Sequence, residues 1–157
     1  MIAGAKVYDT VSLISSALAG AGGAFSAASI DTFAAIANAL NGAGIDLTNS
    51  ASVSALITGV AQTENISLAS GVADNVASIV VASNLLLQSQ TGSGAQLLNE
   101  VAAVELVSQG AASTAIQHAG NEPTQFHSIV DAFTGTNLNA AYRRSFLHAI
   151  SGRSRSN

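Results

Sequence analysis

The chain has 157 residues, a net charge of −4, 48% hydrophobic residues, only 4% aromatic and 9% charged residues, and no cysteine. That length suits one domain that removes roughly 68–70% of its unfolded surface from water, and the missing cysteines exclude disulfides and thiolate metal sites. Charged residues fall far below the usual share of about 25%, so the surface offers little electrostatic resistance to self-association, and the apolar runs are too interrupted for a stable membrane span.

The first segment, 1–28, reads as a helix and a Gly/Ala linker. Val7, Val11, Leu13, Ile14 and Leu18 recur at helical spacing over 5–19, and Gly20 ends the stripe. Lys6 followed by apolar residues has the outline of a secretory leader, but Asp9 interrupts it, so the segment is read as folded structure. A helical core is expected over 29–150. Its first helix runs from Ser29 or Ile30 to Leu40, with Phe33, Ile36, Ala37 and Leu40 on one face and Gly42 and Gly44 as the stop. Thr48, Asn49 and Ser50 are candidate N-caps for a short helix through Val53, Leu56, Ile57 and Val60.

Residues 66–119 hold two long apolar stretches joined by the polar turn Gln88-Ser89-Gln90-Thr91-Gly92-Ser93-Gly94. Val72, Val76, Ile79, Val80 and Leu87 before it, and Leu97, Val101, Val104 and Ala111 after it, keep helical period. Together they predict an antiparallel helical hairpin. Pro123, tolerated in a first helical turn, opens a helix through Phe126, Ile129, Val130 and Phe133 that Gly135 closes. Asn137 caps a last helix through Ala141, Phe146 and Ile150, which stops at Gly152 before the basic tail 151–157. No strand alternation is present. The expected fold is all-α: a compact, single-domain array of about seven helices around the central hairpin 66–119.

An internal echo accompanies these elements. Phe33-x-x-Ile36-x-x-Ala39-Leu40-x-Gly42-x-x-Ile45 aligns without gaps on Phe126-x-x-Ile129-x-x-Ala132-Phe133-x-Gly135-x-x-Leu138. Each copy has an aromatic anchor, an apolar stripe, a glycine stop and an aliphatic residue beyond it. The chance recurrence of a helical pattern and a unit cut from a tandem array are both open readings.

Chemistry-bearing residues are sparse. His118, His127 and His148 have no i, i+4 pairing of the kind that places two metal ligands on one helical face. The glycine-rich stretches lack the Lys-Ser/Thr of a phosphate loop, and Asp46, Asp74 and Asp131 are too isolated for a calcium loop. No catalytic set and no cofactor is expected. Charge is distributed unevenly: Arg143, Arg144, Arg153 and Arg155 lie near the C-terminus, while all nine acidic residues precede them. Without interleaved aromatics these arginines make a thin footprint for nucleic acid. They are the candidate partners of Glu100 and Glu105, two carboxylates that point about 140° apart on their helix. Glu105 lies in an apolar run, where a charge is costly unless paired. The six residues form the candidate interaction set, within one chain or between chains.

The stretch Leu97-Leu98-Asn99-Glu100-Val101-Ala102-Ala103-Val104-Glu105-Leu106-Val107-Ser108-Gln109-Gly110-Ala111-Ala112, followed by Ala132-Phe133-Thr134-Gly135-Thr136-Asn137-Leu138, resembles Ala-rich helical modules of large secreted bacterial surface proteins, the repeats-in-toxin, calcium-binding and adhesin-like exoproteins. Gly44-Ile45-Asp46-Leu47-Thr48 is similar in style, though the glycine-aspartate nonapeptide of those proteins is missing. A weaker likeness is to the helical repeat domains of spider silks. The resemblance implies an extracellular or cell-surface, non-catalytic protein that packs against copies of itself or other surface or matrix proteins. Combined with the uncharged composition, it leads to the expectation of a structural subunit that self-associates into a filament, layer or matrix. A monomeric helical binding module and a membrane-active helical protein are the alternatives.

Overall fold

The computed structural model describes the backbone of residues 1–153 and the side chains of residues 1–148. The described residues are all-helical, with no strand. The elements are α1 (Ile2–Gly20), α2 (Phe25–Asn41), α3 (Ser50–Thr63), α4 (Val72–Gln88), α5 (Ala95–Glu105), a π-helical segment (Leu106–Ala112), α6 (Ser113–Ala119), α7 (Pro123–Ala132) and α8 (Gly135–Arg153). α5, the π segment and α6 follow one another without a break and form a single rod.

α1 occupies the centre. Between Asp9 and Leu18 every residue except Ser12 is buried, because α2, α4 and α6 pack around it. Such crowding requires small side chains, and α1 supplies Thr10, Ser15, Ser16 and Ala17 between Leu13, Ile14 and Leu18. The hydroxyls find partners inside: Thr10 Oγ1 donates to the Lys6 carbonyl at 2.7 Å, Ser15 Oγ to the Val11 carbonyl at 2.7 Å, and Ser16 shares a hydrogen bond with Ser113 of α6. α3 bridges α2 and α4, and α7 lays Phe126 onto the same core. A second cluster, with Leu86, Leu87, Val101, Val104, Val107 and Leu138, joins the end of α4 to α5 and α8.

The expected hairpin is therefore not the pair about which the helices gather. α4 packs mainly on α1 and α3, while the rod packs on α8 through α5 and on α1 through α6. The change of partner falls on the π segment, whose Val107 belongs to one cluster and whose Ala112 belongs to the other.

Several boundaries differ from the sequence reading. α2 begins at Phe25, a full turn before Ser29, so the Gly/Ala connector shrinks to the turn around Gly22. Asn49 caps α3 by accepting from the Ser52 amide at 3.0 Å, and Pro123 opens α7. Gly135 does not close α7. It begins α8 at φ +53, a left-handed conformation that glycine reaches without steric cost. Asn137, expected as a cap, lies inside α8 and donates from Nδ2 to the Asp131 carbonyl at 2.9 Å, which fastens the corner between the two helices. α8 passes Gly152 and ends at Arg153, while the side chain of Ile150 and the tail residues 154–157 lie outside the described residues.

Candidate interaction surface

α2 has two apolar faces. Ala28, Thr32 and Ile36 recur every four residues and are buried against the body. Ile30, Phe33, Ala37 and Leu40 recur at steps of three and four on the opposite side, and all are exposed: Ile30 is 68%, Phe33 42% and Leu40 61% accessible. α2 lies close to the serine-rich face of α1, with Ser29 Oγ 2.9 Å from Ser15 Oγ, and it meets the body there with the small side chains of Ala28 and Thr32; Ile36 is its one large apolar residue on the buried side, and the others point outward. The sequence reading groups Phe33, Ile36, Ala37 and Leu40 on one face; the structure separates Ile36 from the other three.

Aromatics border this stripe. Tyr8 of α1 lies 6.4 Å from the ring of Phe33, tilted by 59°, and with Phe25, Val11, Ser12, Ser29 and Gln109 they line a cleft of about 260 Å³. An acidic pair, Asp31 and Glu64, sits beside the stripe. Their hydrogen bond raises the Glu64 carboxyl above its ordinary range, since two carboxylates hold a proton more easily than one.

A second apolar surface lies on the rod and α8. Leu106, Val107, Ala111, Phe133, Ala141 and Arg144 line an open groove of about 640 Å³, with exposed Leu147 on the same helix as Arg144. Arg143 and Arg144 are both exposed. Arg153 ends α8 with its side chain, like Arg155, outside the described residues.

The two acidic candidates have different environments. Glu100 is buried and bound locally: its carboxylate accepts from the Gly92 amide at 3.0 Å and from Gln96 Nε2 at 2.9 Å, closing the 89–94 turn onto α5. Beside it, Tyr142 of α8 donates to Gln90 Oε1 at 2.8 Å, and burial, with the Glu100 charge, pushes the Tyr142 phenol up. Glu105 is half-buried at the start of the π segment, and burial raises its carboxyl with no cation offsetting the effect. Among the described residues, the structure thus brings neither glutamate to an arginine of the same chain.

Asp9 is not among the residues that the sequence marks as functional, yet it is the most enclosed acidic group among the described residues. A signal is present: Asp9, Leu13 and Ser16 share one helical face, so burial of Leu13 implies burial of Asp9. No group of three metal-ligating side chains converges among the described residues, and no helix among them is long and apolar enough to cross a membrane. Compared with known protein families, curated proteins and solved structures, the chain matches none.

Proposed function

We propose that this protein is a non-catalytic structural subunit that self-associates, extracellularly or at a cell surface, into a filament, layer or matrix. One observation carries the reading: α2 turns its large apolar side chains, Ile30, Phe33 and Leu40, to solvent. Covering such residues contributes about 25 cal/mol per Å² of apolar area, with few charges to desolvate.

The partner we propose is a second copy, docked through a different face. The α2 stripe is flanked by Asp31 and Glu64, whereas the groove of the rod and α8 is apolar and carries Arg144. Acid-flanked apolar ridge and base-flanked apolar groove are complementary, and an interface between unlike faces propagates into open filaments unless its rotation closes a ring. A small-ligand module is the weaker reading: the groove of about 640 Å³ is an open trough rather than an enclosed pocket, and the aromatic cleft of about 260 Å³ falls below the roughly 300–1,000 Å³ of most ligand pockets and suits one side chain of a neighbour.

Light scattering and negative-stain electron microscopy of the purified chain test the proposal. Concentration-dependent particles that persist in part at high salt are expected, with Phe33→Glu abolishing them and the Arg143→Glu/Arg144→Glu pair weakening them most at low salt. A strictly monomeric protein at high concentration overturns it.

A further inference from the structure

The cleft between α1, α2 and the π segment has walls of two kinds. On one side are the rings of Tyr8, Phe25 and Phe33, all exposed and so open to an incoming group. On the other are Ser12, Ser29 and Gln109, which offer acceptors. The Ser29 hydroxyl turns its hydrogen inward, toward the Phe25 carbonyl at 2.8 Å and Ser15 Oγ at 2.9 Å, which leaves its lone pairs. Gln109 has its amide nitrogen enclosed, so Oε1 is the outer end of the amide. The Ser12 hydroxyl has no partner among the described residues.

The charge around these walls has one sign. No charged side chain lines the cleft itself. Asp9, which follows Tyr8, is fully enclosed and lacks a hydrogen-bond partner on either oxygen. Glu105 lies one turn before Gln109, half-buried with no cation offsetting it. Lys6 bonds Gln88 Oε1 of α4 at 3.4 Å, and no other Lys or Arg precedes Arg143. A leucine in the cleft would cover the rings but leave the acceptors unanswered. An ammonium is a compact, strongly hydrated point charge, whereas a guanidinium is flat, stacks on aromatic faces and carries five donors.

We propose, resting on the self-association described above, that this cleft receives the guanidinium of Arg144 from a second copy. No residue of α8 lines the cleft, so the arginine comes from another molecule. Arg144 is exposed at the apolar groove that takes the α2 stripe in that association. Phe33 belongs to both the stripe and the cleft, so seating the stripe in the groove carries Arg144 to the aromatic wall. Arg143 is exposed about 100° round the helix and does not line the groove.

Sedimentation velocity and light scattering of the full chain test the contact, with melting temperatures confirming that each surface variant folds. Arg144→Lys and Tyr8→Leu are each expected to raise the concentration of half-assembly about tenfold, the scale of a desolvated cation–aromatic contact. The double variant is expected to lose no more than either alone, because both changes remove one contact. Arg143→Lys and Tyr8→Phe are expected to match the native chain. Arg144→Lys mixed with Tyr8→Leu, where each alone is monomeric, is expected to give a dimer and nothing longer, since one intact cleft then meets one intact arginine. A monomeric native chain overturns the self-association and this contact with it. Assembly that Arg144→Lys and Tyr8→Leu leave unmoved overturns the contact alone. So do additive losses in the double variant, an equal loss with Arg143→Lys, or a mixture that stays monomeric. Weakening by Leu147→Ala in place of Arg144→Lys would assign the cleft to an apolar side chain and overturn it as well.

Discussion

Gly20 and Gly120 bring the ends of α1 and α6 together with no side chain between them. A Cβ on Gly20 would stand 2.6 Å from the Gln117 carbonyl oxygen and 3.1 Å from the Gly120 Cα, and one on Gly120 would stand 3.2 Å from the Gly20 carbonyl oxygen. Backbone has no rotamer with which to give way, so Gly20→Ala is expected to destabilise by about 1–3 kcal/mol, as overpacking does. Gly59 in α3 is the control, because a methyl group there would meet nothing within 4 Å. Gly59→Ala is expected to stabilise by about 0.5–1 kcal/mol through backbone entropy. Urea titration of both variants decides the matter; equal effects would refute the close crossing.

Asp9 makes stability depend on pH in the opposite sense to most carboxylates. Its pKa is raised from 3.8 to about 6, so the folded chain binds the proton more tightly than the unfolded one. The contribution is neutral below the unfolded pKa, becomes unfavourable as pH rises from about 4 to about 6, and is constant above that. Two pKa units correspond to about 3 kcal/mol. Asp9→Asn is expected to recover up to that amount at pH 7 and little at pH 4. A stability curve from denaturant melts at the two pH values checks this, and an Asn variant less stable at pH 7 would contradict it.

Phe126 and Phe33 occupy matching places in the internal echo yet differ in surroundings: Phe126 is fully buried and Phe33 is exposed. Phe126→Ala is expected to cost about 3–5 kcal/mol by opening a core cavity. Phe33→Ala is expected to stay within about 0.5 kcal/mol in the isolated subunit, as surface changes do, while reducing association. Comparable melting temperatures for the two variants would show that the burial assignment is wrong.

Asn121 clips the 64–71 connector to the turn between α6 and α7. Its Oδ1 accepts from the Ala69 amide at 2.7 Å, and its Nδ2 donates to the Ser67 carbonyl at 2.8 Å. Asn121→Ala leaves the Ala69 N–H unpaired in a half-buried place, and a loss of about 1–2 kcal/mol is expected. Asn121→Asp, which keeps the acceptor, is expected to recover part of it. Thermal denaturation distinguishes the two.

The helical class is legible because Val, Leu and Ile recur at 3.6-residue period throughout, and local signals such as Asn49 and Pro123 mark their helix starts correctly. Which helix lies in the middle is not legible. α1 is central because its serines, threonine and alanine allow three neighbours to approach, a property of size rather than hydropathy, and hydropathy favours the stretch 66–119. The same blindness hides the outward face of α2, where period alone gives no indication which of two apolar sides meets the body. Gly135 misleads for a related reason: a positive φ serves equally to end one helix and to redirect the chain into the next. Glu105 stands out in the sequence as a charge in apolar surroundings, but a spatial partner for it cannot be found by adjacency along the chain.

The irregular turn at Leu106–Ala112 also fixes how tolerant the rod is of changes in length. The i→i+5 bonds of a π turn enclose one residue more than the i→i+4 bonds of an α turn, so the loss of Gln109 or Gly110 is absorbed by tightening that turn to α geometry. Ser113, Ile116 and Ala119 then keep their place on the buried side. A single-codon deletion within 106–112 should therefore be far less damaging than one within α5, where each lost residue swings everything downstream by about 100°.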